Sequence, residues 1–318
     1  MKNNPTAIII GDLHLYDNVP EARIDNYLET RSKKIQWICD LQSKYFNPPI
    51  LQSGDIFENW RCSHNLLSWC IENLPRDIIT IPGNHDLPSL SIENYYRSPL
   101  RTIFSSKKIS MPAVHALDEE GIIQYKRKTI QCSNMNIIGF PWGSTPKNIK
   151  TKAEKGKVNV AIAHCMVYKK EEEWPGMVAE KAKMLLRKLK NYDLIVTGHN
   201  HKAFTEELNG RILVNPGSIF RAHADQFEHR PRVYLYYSET NTIEKIYIPI
   251  KPAEEVLSKA HIEKKENKEK RKSSFVRKLN SLYEVSISYK ENLKKHFESN
   301  PTGARIEEKV WEMGEKIK

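Results

Sequence analysis

Cysteine is scarce and unpatterned. The chain carries five in 318 residues, Cys39, Cys62, Cys70, Cys132 and Cys165. Their number is odd and no two stand in a Cys-x-x-Cys spacing. That argues against a disulfide framework and a cysteine-type zinc site, and fits a reducing, cytoplasmic setting. No apolar run approaches the roughly eighteen residues of a membrane span. The apolar stretch behind the N-terminus, Ala7 to Ile10, is too short for a signal peptide. There is no internal repeat and no long low-complexity tract. The length therefore reads as one large domain, or one domain with an appendage.

What is present is positive charge. Fifty Lys or Arg stand against 39 Asp or Glu, a net charge of +11 and a pI near 9.2. This favours acidic partners, nucleic acid first. The excess is not confined to the C-terminal stretch, because residues 253–318 supply only +4 of it. Short apolar runs alternate with helical spacing over the first two hundred residues. Ala7 to Ile10, Ile50-Leu51, Asp77 to Ile81, Asn136 to Phe140, Val158 to Ala163 and Leu194 to Val196 predict strands. Residues 21–46, 63–73 and 178–189 predict helices, the first from Ile24, Leu28, Ile35, Ile38 and Leu41. Further strands are expected at Ile212 to Val214, Val233 to Tyr237 and Ile243 to Ile248. Residues 87–135 show no clear period. Past Pro252 no strand is expected, only short amphipathic helices, the last around Ile306, Val310 and Met313. The fold class is α/β (α+β), a sheet-rich domain with helices outside. The expected division is 1–250 for this domain and 251–318 for a basic helical extension that contacts a partner or DNA or packs on the core.

Four stretches at strand ends concentrate the chemistry: Gly11-Asp12-Leu13-His14, Gly54-Asp55-Ile56-Phe57-Glu58, Gly83-Asn84-His85-Asp86 and Gly198-His199-Asn200-His201. A lone His164 ends the strand at Val158 to Ala163. In extended chain, residues i and i+2 point to one side, so Asp12 and His14 can aim at one ion. Each stretch alone reads as a polar turn. Five of eleven histidines at strand ends, with carboxylate and amide partners, make coincidence a poor account. Imidazoles with carboxylates suit Mn, Fe or Zn better than Ca. A two-metal site needs a bridging group, and the two-oxygen carboxylate of Asp55 is the candidate. Water shared by two cations loses its proton easily. The expected chemistry is hydrolysis of a phosphate ester, with a histidine as proton donor to the leaving group.

The ordered set Asp-x-His, Gly-Asp-x-x-Glu, Gly-Asn-His-Asp, His, Gly-His-x-His resembles the calcineurin-like metallophosphoesterase superfamily. The resemblance implies a two-sheet β-sandwich flanked by helices, with the site at the strand ends. It implies that Asp12, His14 and His201 hold one divalent metal ion, that Asn84, His164 and His199 hold the other, and that Asp55 bridges them. It also implies that a metal-activated hydroxide attacks phosphorus, while His85 assists departure of the leaving oxygen. Asp86 would orient His85 through a hydrogen bond, or serve only the turn. Mn is the metal that the resemblance favours, with Fe or Zn as alternatives.

Within that superfamily the chain is most similar to the SbcD-type DNA-repair exonuclease branch, including phage-type relatives. Gly11-Asp12-Leu13-His14-Leu15, Gly54-Asp55-Ile56-Phe57, the turn Asn215-Pro216-Gly217-Ser218 and the basic tail carry this likeness. Glu58 departs from it, standing where some members have another histidine. The expected substrate is DNA, and the expected partners are an SbcC-like ATPase or a second copy of the chain, with no membrane. Lys147 and Lys150, with Lys152, Lys155 and Lys157, form a loop that can meet a phosphate backbone. Arg221, His223, Arg230 and Arg232 follow the Gly217 turn and are expected to face the site. A phosphatase or cyclic-nucleotide phosphodiesterase would use the same catalytic residues. A scaffold that lost catalysis would be expected to lack a ligand, and none is missing.

Overall fold

The computed structural model describes residues 4–116, 123–124, 130–132, 134–144, 156–169, 179–258, 293–294, 296–298 and 303–315. From the N-terminus, strand β1 (Ala7–Ile10) leads to helix α1 (Tyr27–Lys44), β2 (Ile50–Gln52), α2 (His64–Asn73), β3 (Ile78–Ile79), α3 (Pro99–Ser105) and β4 (Ile109–Ser110). Next come β5 (Ala113–Ala116), β6 (Ile123–Gln124), β7 (Ile130–Cys132), β8 (Met135–Phe140), β9 (Val158–Ala163), β10 (Val167–Tyr168) and β11 (Glu180–Lys181). Then follow α4 (Ala182–Lys188), β12 (Leu194–Thr197), β13 (Phe204–Leu208), β14 (Arg211–Asn215), β15 (Arg232–Tyr237), β16 (Thr242–Tyr247) and α5 (Ala253–Val256).

The strands form two main sheets. One has the order β16-β15-β1-β2-β3-β4, and the other β13-β14-β12-β9-β8-β5-β6 with β7 also on β8. Strands β1 to β4 run parallel, as do β8, β9, β12 and β14. Alternation along each strand builds three apolar layers. Ala7 and Ile9 of β1 meet Ile137, Val160, Ile162 and Val196 between the sheets. Ile8 and Ile10 face the opposite way, onto Tyr27, Ile35 and Ile38 of α1 and Leu66 of α2. On the far side of the second sheet, Ala161, Ala163 and Ile195 pack on Leu185 and Leu186 of α4. Each such fully buried aliphatic side chain contributes about 1.5–3 kcal/mol. The fold is the expected two-sheet sandwich flanked by helices. Its parallel strands bring their C-terminal ends to a common edge, where the polar stretches begin.

The helices are shorter than the apolar spacing predicts. Asn26 caps α1 by accepting the Glu29 backbone N–H, so Ile24 lies outside it and is 58% exposed. Strand β13, sequence Phe-Thr-Glu-Glu-Leu, was not foreseen; it is held by its antiparallel register with β14 rather than by apolar pattern. The irregular stretch after residue 87 holds two 3₁₀ segments, Pro88–Leu90 and Ile92–Arg97.

The chain divides into compact units at Met1–Ser258 and Lys259–Lys318, eight residues later than the composition suggests. The reason is α5, whose Val256 and the following Leu257 bury with Ala22 and Ala224 of the first unit. Within the second unit, helix α6 (Ala304–Glu315) covers the predicted Ile306, Val310 and Met313. Among the described residues, no helix is long and apolar enough to cross a membrane.

Candidate metal centre

The site is built from strand ends. Asp12 and His14 follow β1, Asp55 follows β2, Asn84 and His85 follow β3, His164 follows β9, and His199 and His201 follow β12. Close approach requires glycine at two of these turns. A Cβ on Gly83 would lie 2.1 Å from Asp55 Oδ1, and one on Gly198 would lie 2.6 Å from Asp12 Oδ1. His14, Asp55 and His199 adopt positive φ, 41°, 53° and 71°. Such backbone costs about 1–3 kcal/mol per residue and is retained where surroundings hold a side chain in place. Asp12 and His14 therefore converge through a left-handed kink at His14, not through extended chain as the spacing suggests.

Two groups of side chains present ligand atoms within 4.8 Å of one another, Asp12 with His14 and His201, and Asp55 with His164 and His199. In the first, His14 Nε2 lies 2.9 Å from His201 Nε2 and 4.0 Å from Asp12 Oδ2. In the second, His164 Nε2 lies 3.1 Å from Asp55 Oδ2 and 2.9 Å from Asn84 Oδ1. Asp55 Oδ2 also lies 3.7 Å from His14 Nε2, so its carboxylate stands between the two groups. Its other oxygen, Oδ1, accepts the His85 backbone N–H at 2.8 Å.

The arrangement is one that cations complete. His164 Nδ1 is 2.7 Å from the Ser53 carbonyl oxygen, which can only accept, so Nδ1 carries the proton. Neutral His164 then aims a bare Nε2 at Asn84 Oδ1 and Asp55 Oδ2. Three lone pairs converge, and the buried Asp55 Oδ2 receives no well-directed hydrogen bond. A proton or a cation relieves this. Burial opposes charge on His164, but the Asp55 carboxylate outweighs it and raises the imidazole pKa to about 9. Burial likewise opposes ionisation of Asp55, yet His164 and His14 hold it well below the usual carboxylate range. Burial and the His164 charge push His199 down to about 4, and burial with His14 pushes His201 down to about 3. Both are thus neutral near pH 7, the state a ligand needs.

Several supporting groups orient these atoms. Asp12 accepts from Ser53 Oγ at 3.0 Å and from the His199 backbone N–H at 2.8 Å. The Trp142 ring packs 4.8 Å from that of His199. Glu58, not among the predicted site residues, places Oε2 2.9 Å from His14 Nδ1, and its backbone carbonyl accepts His85 Nδ1–H at 2.6 Å. Its position in Gly-Asp-x-x-Glu was the available signal. His14, Glu58 and His85 also present ligand atoms within 4.8 Å, a third, more open grouping. A carboxylate behind a ligating imidazole fixes its tautomer and raises its basicity. Glu58→Gln is therefore expected to weaken metal affinity about 10–100-fold, measured by titrating metal into the stripped protein; unchanged affinity would detach Glu58 from the centre.

Two expected roles change. Asp86 makes no hydrogen bond to His85 among the described residues. Its buried carboxylate accepts the backbone N–H groups of Phe57 and Gly83, both at 3.0 Å, and so clasps two of the site loops. Burial and then the Asp55 charge push its carboxyl up to about 7. Orientation of His85 falls instead to the Glu58 carbonyl. Arg221 is not with the cluster: it is 3% exposed and donates from Nη2 to the Lys251 carbonyl, its segment held against Arg23, whose Nη1 donates to the Arg221 backbone carbonyl. Arg230 and Arg232 stack on the Tyr247 ring at 4.5 and 5.0 Å. Lys147 and Lys150, with Lys152 and Lys155, lie outside the described residues.

Comparison with curated proteins finds no match. Among solved structures, TT1561 from Thermus thermophilus is 12% identical, covering 76% of this chain and 99% of its own, with a TM-score of 0.43. An archaeal phosphodiesterase is 13% identical, with 76% and 98% covered and a TM-score of 0.36. A metallophosphoesterase from Sphaerobacter thermophilus is 12% identical, with 77% and 89% covered and a TM-score of 0.36. Residues 6–236 match the calcineurin-like phosphoesterase superfamily domain, a span that holds every side chain of the cluster. With most of its length accounted for in this way, the chain belongs to the calcineurin-like phosphoesterase superfamily.

Proposed function

We propose that the protein is a two-metal phosphodiesterase that cleaves DNA in the manner of SbcD-like nucleases. The observation that carries the two-metal reading is the Asp55 carboxylate, poised between the Asp12–His14–His201 and Asn84–His164–His199 groups. Two divalent ions held there, Mn best suited, would neutralise charge on the phosphate oxygens and acidify water.

The protein's own groups do the rest. His164 Nδ1 is engaged by the Ser53 carbonyl, and the Glu58 carboxylate stands 2.9 Å from His14 Nδ1, which leaves Nε2 of each as the inward atom. His85 has Nδ1–H held by the Glu58 carbonyl, so Nε2 is the atom that can hand a proton to a leaving oxygen. Its side chain is 35% exposed, at the open rim of the site.

The DNA reading rests on what surrounds that rim. A hollow of about 270 Å³ adjoins His85 and Asn84, lined by Glu58, Asn59, Trp60, Leu87, Ser89 and Leu90. The Arg61 and Arg97 guanidiniums lie 4.6 and 5.9 Å from the Trp60 ring. An indole beside two guanidiniums suits a base next to phosphate. The net charge of +11 adds a general attraction for polyanions. The four described free cysteines, Cys39, Cys62, Cys70 and Cys165, accord with action in the cytoplasm. The basic C-terminal unit is the proposed contact for DNA or for an SbcC-like ATPase or a second copy.

A substrate panel with defined metals tests this. With Mn²⁺, linear duplex and single-stranded DNA and a generic diester are expected to be cleaved, and EDTA to abolish cleavage. If DNA stays intact while a small phosphomonoester is hydrolysed, the phosphatase reading replaces it.

A further inference from the structure

A separate cavity, of about 350 Å³, lies between α1 and the chain around Arg221, Ile248–Lys251 and Val256. It shares no residue with the metal centre. Five basic side chains line it, Arg23, Lys33, Lys34, Arg221 and Lys251, and among the described residues no acidic one does. We propose that this cavity is a binding site for a nucleoside phosphate, distinct from the site of hydrolysis.

The argument begins with buried charge. Arg23, Lys34 and Arg221 are 6%, 5% and 3% exposed. One carboxylate, Asp25, serves the three of them by accepting from Arg23 Nε and Nη2, both at 2.7 Å. The remaining Arg23 donor, Nη1, goes to the Arg221 backbone carbonyl. Arg221 gives Nη2 to the Lys251 carbonyl, while its Nε is buried without a partner. Among the described residues Lys34 makes one hydrogen bond, Nζ–H to the Ile219 carbonyl at 3.0 Å, and its Nζ stands 5.1 Å from the Phe220 ring, although an ammonium has three donors. Glu254 is the other carboxylate whose charge reaches Arg221, and Glu29 on the rim pairs with Lys33. Buried cations left short of anions and acceptors are costly, and an incoming anion removes that cost. Burial, reinforced by repulsion from Arg23 and Arg221, pushes Lys34 down to about 7, in keeping with the missing counter-charge.

The walls identify the class of anion. Guanidinium donors with an ammonium match phosphate oxygens. Trp37, Ile248, Pro249, Ile250 and Val256 supply an apolar wall that a bare phosphate would leave uncovered. A cavity of this size falls in the range of small-molecule sites, about 300–1,000 Å³. A phosphate carrying a ring, as in a nucleoside monophosphate, uses both surfaces.

Calorimetric titration of the full chain in EDTA, which keeps the metal centre from taking phosphate, tests the assignment, using adenosine monophosphate, inorganic phosphate and uncharged adenosine as probes. The experiment is run in wild type, in Asp55→Ala, in the rim variant Lys33→Glu/Lys251→Glu, and in Lys34→Met. The nucleotide is expected to bind Asp55→Ala as it binds wild type. The rim variant and Lys34→Met should each weaken it about tenfold or more, and both simpler probes should bind less tightly. The rim variant keeps the test sound if Lys34→Met fails to fold. Absence of nucleotide binding, loss of binding in Asp55→Ala with the rim variant unaffected, or equal binding of inorganic phosphate would overturn the proposal.

Discussion

Asp55→Ala is expected to strip both metal ions and lower turnover of a generic diester by more than about 10³-fold, beyond the cost of losing a single transition-state donor. The expectation follows from position. Among the described residues, Asp55 is the acidic side chain within 4 Å of both His14 of the first group and His164 of the second, at 3.7 and 3.1 Å. Removing it would take a charged ligand from both proposed ions at once. It also releases the His85 backbone N–H, which Oδ1 accepts at 2.8 Å, so the loop bearing the proposed proton donor loses an anchor. Asp55→Asn separates these effects, because an amide oxygen can still accept that N–H while the negative charge is gone. Asn should therefore keep the loop in place yet lose the metals. Elemental analysis of the purified variants beside wild type reads this directly. Two ions retained in Asp55→Ala would refute the bridging assignment, whatever happens to activity.

The readable part of the site was the part encoded by strand ends. β1, β2, β9 and β12 are short buried apolar runs, and each is followed at once by polar residues. Parallel pairing then carries those ends to one edge, so motifs separated by up to 187 positions in sequence come together, as His14 and His201 do at 2.9 Å. What could not be read depends on rotation at single residues. The kinks at His14, Asp55 and His199 set which side chain meets which, and a positive φ at a histidine or aspartate leaves only a weak mark in a sequence, since these residues merely adopt it more often than most. Glu58 was visible in its motif, but its service to both His14 and His85 is not a matter of spacing. Arg221 shows the reverse error. Lying four residues past Gly217 suggested a face toward the site, whereas Ile219, Phe220 and Arg221 are all buried and the arginine donates to the Lys251 carbonyl. β13 was missed because two of its five residues are glutamates and its stability comes from register with β14.

His85→Ala is expected to leave metal content unchanged and to lower kcat for DNA by about 10²–10⁴-fold, the range for loss of a general acid. His85 contributes no atom to the two groups around Asp55, and its ring stands edge-on to that of His14 at 4.8 Å, beside the ligands rather than among them. The competing assignment is the third grouping, His14 with Glu58 and His85, in which His85 would itself bind an ion. The 2.6 Å contact between His85 Nδ1 and the Glu58 carbonyl weighs against it, since that nitrogen is committed as a donor. Loss of one ion in His85→Ala would decide for the third grouping. Proton donation has its own signature in the leaving group. A deoxyribose alkoxide must be protonated to depart, whereas p-nitrophenolate departs unaided. The variant should therefore lose far more activity on DNA than on a p-nitrophenyl diester. Equal losses on both substrates would place His85 on the phosphate oxygens instead, steadying charge rather than delivering a proton.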